Sequence, residues 1–136
     1  MTTSFQRDLT KPLLQWWYKN GRTDLPWQVS PSIYKTWVSE IMLQQTQVIT
    51  VIPYFKKFIK TFPSVRRLAD ATEDQVMSHW SGLGFYSRAR NLHKSAKIIV
   101  DQYKGIIPKR LDDLMALPGI GRSTAGAILS LSCIEP

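Results

Sequence analysis

Apolar positions along this chain recur mostly at the period of an α-helix, and only rarely with the alternation of a strand. Val51, Phe55, Phe58, Ile59 and Phe62 stand at i, i+4, i+7, i+8 and i+11, which gives one helix a continuous core-facing stripe. Leu92, Ala96, Ile99 and Tyr103 share a face of a longer helix predicted from Phe85 to Tyr103, which Gly105 and Pro108 end. Ser32 is placed to cap a helix on which Ile33, Trp37, Glu40, Ile41 and Gln44 fall roughly together. Thr72-Glu73-Asp74-Gln75 fits a capping box, opening a short helix through Trp80. Phe5 to Lys19 reads as a first helix stopped by Asn20-Gly21, and Pro26 and Pro31 mark the loop after it. A short helix from Leu111 to Leu117 and a last one through about Ser132 complete the series. The strand-like run Val48 to Ile52 is absorbed into the helical pattern. The expectation is one all-α domain over residues 1–136, without repeat or linker.

Composition narrows this picture. The 136 residues are 43% hydrophobic, with five Trp, five Tyr and five Phe, enough for one aromatic-rich core. A net charge of +8 points to a polyanionic partner, although a merely basic surface gives the same count. Cys133 is the single cysteine, so neither a disulfide nor a Cys-rich metal site can form within the chain. The start, MTTSFQRDLTKPLLQ, is too polar for a secretory signal, and no apolar run reaches the ~20 residues a bilayer requires. A cytoplasmic protein without a membrane partner is expected, and no obligate protein partner is evident.

The first chemically specific segment is Leu117-Pro118-Gly119-Ile120-Gly121-Arg122-Ser123-Thr124-Ala125. Two glycines around one apolar residue allow a tight hairpin at the start of a helix, where amides and dipole favour a phosphate. Gly119 and Gly121 carry no Cβ and so admit a nucleic-acid backbone closely, while Leu117 and Ile120 anchor the turn. An ordinary turn between helices is the plainer reading of Gly-x-Gly alone.

Ser39-Glu40-Ile41-Met42-Leu43-Gln44-Gln45-Thr46-Gln47 is more diagnostic, because it sets one carboxylate among apolar and aromatic neighbours. Such a Glu is expected to resist ionisation, which suits a general acid, whereas an isolated helix Glu more often faces solvent. This string resembles the catalytic signature of MutY-type adenine DNA glycosylases. Leu25-Pro26-Trp27-Gln28, Val51-Ile52-Pro53-Tyr54-Phe55 and Gly82-Leu83-Gly84-Phe85-Tyr86-Ser87-Arg88-Ala89-Arg90-Asn91-Leu92-His93 resemble the same family in order and spacing. The hairpin, at about 111–132, resembles the helix-hairpin-helix motif of DNA repair glycosylases.

The resemblance implies an incomplete helix-hairpin-helix glycosylase fold: part of a six-helix barrel and the start of the second helical part. It implies that Glu40 protonates adenine at N7, that Leu25, Trp27 and Leu43 line the base pocket, and that Gln44 and Phe85 wedge into the stack. Phe85 stands where the family normally has Tyr, so a ring is kept and a hydroxyl lost. Gly119, Gly121 and Ser123 are expected to hold a phosphate, with a monovalent cation at the hairpin carbonyls. Arg88, Arg90 and Lys94 are candidate phosphate contacts, a role that a solvated basic face also explains. The implied partner is double-stranded DNA with adenine opposite 8-oxoguanine or guanine.

Related endonuclease III-type enzymes carry a Schiff-base Lys where this chain has Ser123, so a monofunctional enzyme is expected. The family's second carboxylate, an Asp in a Leu-Asp-Gly-Asn-Val-like string, has no match, and Asp70, Asp112, Asp113 and Glu135 do not replace it. The four cysteines of a [4Fe–4S] cluster and the part that reads 8-oxoguanine are likewise unmatched, so the 136 residues alone are expected to be nearly inactive. The alternatives are a non-catalytic helix-hairpin-helix DNA-binding module, a helical protein-interaction domain and an endonuclease III-like glycosylase/lyase.

Overall fold

The computed structural model describes residues 25–132. The helix expected over Phe5 to Lys19, together with Cys133 and Glu135, lies outside the described residues. Within them the chain forms a 3-10 turn, Pro26–Gln28, followed by seven α-helices, and no strand. These are α1 (Ile33–Leu43), α2 (Val48–Thr61), α3 (Val65–Asp70), α4 (Glu73–Trp80), α5 (Ser87–Tyr103), α6 (Leu111–Met115) and α7 (Arg122–Ser132).

Side-chain caps set several of the starts. Ser32 accepts from the Lys35 amide at 3.1 Å and opens α1 as its position suggests. Thr72 and Gln75 form the full capping box that starts α4. Ser64 caps α3 in the same way, a one-and-a-half-turn helix too short to show a period in the sequence. The long helix begins at Ser87 rather than Phe85, because Gly84 and Phe85 both take positive φ and interrupt the helix there. Its end is set by Lys104 and Gly105, again in the left-handed region.

The core gathers Trp37 and Met42 from α1, Phe55 and Phe58 from α2, Trp80 from α4 and Leu92 from α5, all essentially inaccessible. Phe58 meets Phe62 and Trp80 edge-on, at centroid distances of 5.0 and 6.1 Å. Tyr34 donates to the Phe62 carbonyl at 2.7 Å and ties α1 to the end of α2. α5 lies against α1, α3 and α4, while α1 also packs on α2 and α7.

α5 closes the end of α3 with two side chains. His93 donates from Nε2 to the Ala71 carbonyl at 2.8 Å, and Lys97 donates to Ala69 at 3.1 Å. Burial holds the His93 pKa below 6.5, helped by Lys97 and opposed by the Ala71 bond and by Glu73. A histidine kept neutral in the fold contributes stability that is complete above the unfolded value of 6.5 and lost as pH falls from there through the lower folded value. The urea midpoint is therefore expected to be lower at about pH 5 than at about pH 7. His93→Gln, whose amide can still donate to Ala71, should flatten that limb; an identical slope in the variant would contradict the assignment.

Candidate functional site: the signature helix and the hairpin

Glu40 stands in the last turn of α1, half-buried, between Ser39 and Ile41, which are both buried. Gln44, four residues on, caps the helix and lies beside Glu40 in projection. Leu43 is half-buried on the same helix end. Gln45 follows with φ of 59°, a left-handed turn that redirects the chain into α2.

The Gln44 side chain donates to the Thr124 hydroxyl at 3.1 Å, joining the end of α1 to the first turn of α7. Beneath it is a cavity of about 200 Å³ whose lining includes Trp37, Ile41, Gln44, Asn91, Pro118 and Gly119. Trp37 is 1% exposed, and its indole N–H has no hydrogen-bond partner.

The hairpin is fixed from below. Leu117 and Ile120 are buried, as expected of anchors, and the Ser95 hydroxyl of α5 donates to the Pro118 carbonyl at 2.9 Å. The two glycines prove unlike. Gly119 has φ of 81°, and a Cβ there would meet Asn91 Cβ at 2.9 Å, so its lack of a side chain serves the fold. Gly121 is exposed, has no positive φ, and faces open space where a Cβ would stand. Ser123 and Arg122 are exposed at the start of α7, whose first amides have no partner within the helix.

The remaining sequence candidates separate. Phe85 is 57% exposed, so its ring is not part of the aromatic core. Trp27 is half-buried, with its ring edge-on to Phe55 at 5.3 Å. Leu25 has no exposed surface. Arg90 and Lys94 are both exposed, and Arg90 pairs with Glu73 at 3.3 Å.

Arg88 departs most from expectation. It is only 8% exposed, and its guanidinium donates to the carbonyls of Ile41, Met42 and Gln44 at 2.7–2.9 Å and of Gly84 at 3.1 Å. Longer contacts of 3.4 Å reach the Phe85 carbonyl and the Thr46 hydroxyl. The role of phosphate contact is corrected: its N–H groups are taken up by carbonyls inside the protein. Burial lowers its pKa to about 10, which leaves it charged at neutral pH. Sequence reading also missed Asn91 and Ser95, whose polarity within a buried helix face was the available signal.

Residues 38–129 match the family of HhH-GPD superfamily base excision DNA repair proteins, and the chain belongs to that family. It is 59% identical over 120 residues to the adenine DNA glycosylase of Buchnera aphidicola (Acyrthosiphon pisum), covering 88% of this chain and 34% of that protein. Against the human adenine DNA glycosylase it is 42% identical over 125 residues, 85% of this chain and 23% of the relative. The chain thus spans about a third or less of these curated relatives. Its fold is similar to that of a thermostable thymine-DNA glycosylase, with TM-score 0.75, 23% identity and coverage of 96% and 60% of the two chains. A non-covalent endonuclease III–DNA complex gives 0.70 at 23% identity, over 75% of this chain and 48% of that one. No helix of the described residues is long and apolar enough to cross a membrane.

The glycines yield a paired prediction. Gly119→Ala should destabilise the fold by about 1–3 kcal/mol, read as a lower urea midpoint. Gly121→Ala should leave the unfolding free energy within about 0.5 kcal/mol while weakening duplex binding at fixed salt. Equal effects of the two on stability would refute the division of roles.

Proposed function

We propose that this chain carries the acid-bearing part of an adenine-specific DNA glycosylase acting on adenine opposite 8-oxoguanine or guanine in duplex DNA. The supporting observation is Glu40, half-buried on α1 one helical turn before Gln44, in a chain 59% identical to an adenine DNA glycosylase. The reaction needs the adenine out of the stack, because N7 and C1′ are not both accessible within a duplex. Gln44 and the exposed Phe85 ring fill the space the base leaves, and Trp27 and Leu43 contact it once extruded.

Glu40 then delivers its proton to N7, so that adenine departs as a neutral base while the bonding pair goes to the base. The sugar is left as an oxocarbenium-like cation, which water attacks at C1′ with loss of a proton. Stabilising that cation falls to a second carboxylate, which the family pattern places after residues matching Leu129 to Cys133. Ser123 lacks an amine and forms no Schiff base, so hydrolysis without strand cleavage follows.

Gly121, Ser123 and the first amides of α7 receive a phosphate, while the exposed Arg90 and Lys94 add long-range attraction. The Leu117 and Pro118 carbonyls each accept one internal bond and keep a second lone pair, which fits a monovalent cation at the hairpin. With one cysteine the chain does not fit a [4Fe–4S] cluster, and no step is assigned to one.

In a chain completed to the full length of its relatives, Glu40→Gln should slow single-turnover adenine release at least about 100-fold. Duplex affinity should stay within about threefold. Near-normal release by the variant would sink the assignment of the acid. In the same background, Ser123→Lys should allow some borohydride-trapped protein–DNA adduct, and failure to trap any would count against this reading of Ser123.

A further inference from the structure

We propose that Arg88 is a positioning residue that locks the Gln44 loop and the Phe85 loop into one two-pronged wedge. The inference rests on the reading that Gln44 and Phe85 both enter the base stack.

The two loops lie far apart in sequence, and no backbone–backbone hydrogen bond joins their residues. Arg88 supplies the link that the backbone lacks. From one guanidinium, Nη1 reaches the carbonyls of Ile41, Met42 and Gln44, and Nη2 reaches the Gly84 carbonyl and the Thr46 hydroxyl. Its Nε contacts the Phe85 carbonyl, so the residue carrying each prong contributes its own carbonyl to the same cation. The guanidinium also lies over the Phe85 and Trp80 rings, 5.5 and 5.4 Å from their centroids.

Both loops take backbone conformations that an L residue adopts only under constraint. Gln45 has φ of 59° and Phe85 has φ of 51°, each at or next to a prong. A planar donor array fixes the direction as well as the distance of several carbonyls, which a flexible ammonium does not. Capping α1 alone would engage only the carbonyls of Ile41, Met42 and Gln44. The bonds to Gly84 and Phe85 hold the second prong and add nothing to that cap. An apolar ring 57% exposed, held at a fixed backbone angle by a buried charge, is suited to insertion without reorganisation at the moment of binding.

The test uses a duplex bearing 2-aminopurine opposite 8-oxoguanine, with emission reporting unstacking and anisotropy reporting affinity. Wild-type protein at saturation should raise the emission, and Gln44→Ala or Phe85→Ala should cut the rise. Arg88→Met should cut it at least about fivefold at saturation, while affinity changes less than about threefold. Arg88→Lys should recover only part of the loss. A full rise with Arg88→Met, when both prong variants lose theirs, overturns the clamp and leaves the wedge standing. A full rise with all the variants, or none with wild-type protein, overturns the wedge reading and the clamp with it. Should Arg88→Met fail to fold, the wild-type nitrogen spectrum decides. Separate, slowly exchanging Nη resonances from Arg88 support the clamp, and a single averaged resonance refutes it.

Discussion

A buried guanidinium at the C-terminus of α1 is the interaction on which the rest of this arrangement depends. Removing Arg88 from water costs several kcal/mol unless its donors are met, and here they are met almost wholly by backbone carbonyls. The carbonyls at a helix end carry partial negative charge and lack partners within the helix. Cation and helix end therefore satisfy each other. The fixed end of α1 in turn fixes Glu40, Leu43 and Gln44, which follow it by helical geometry alone.

The same solution recurs along α5. His93 and Lys97 donate to Ala71 and Ala69 at the end of α3, as Arg88 does at the end of α1. Asn91 and Ser95 support the hairpin from the same helix. α5 thus carries polar side chains on its buried face, and each one is spent on the carbonyls or the turn of a neighbouring element. Its basic residues divide by face. Arg88 points inward as a structural cation, whereas Arg90 and Lys94 point outward, where charge adds to the field of the surface.

Much of this was legible beforehand, and the limits have physical causes. The stripe of Val51, Phe55 and Phe58, the Thr72–Gln75 box and the anchors Leu117 and Ile120 each depend on neighbours along the chain, so local pattern finds them. α3 is too short to show a period, and only Ser64 could have announced it. Arg88 was misassigned because it shares a segment with Arg90 and Lys94, and only packing distinguishes a cation facing carbonyls from one facing water. The glycines of the hairpin look alike in the string, yet Gly119 is demanded by its own φ and by Asn91 while Gly121 meets open space. Leu25 and Trp27 stand two residues apart, yet one is buried and the other only half-buried.

These ties leave the site few ways to vary. The spacing of Glu40 and Gln44 is set within one helix, by a rise of about 1.5 Å per residue, and needs no tertiary support. What tertiary structure must supply is the placement of Phe85 and of the hairpin relative to α1. Arg88 supplies the first through Gly84 and Phe85, and the Gln44–Thr124 hydrogen bond supplies the second. Both ties end on residues of the Glu40 helix or its cap, so α1 is the common reference for Glu40, Phe85 and the hairpin. A displacement of that helix end would move all three together. That is why a charge is worth burying there, although an apolar contact would fill the same volume at lower cost.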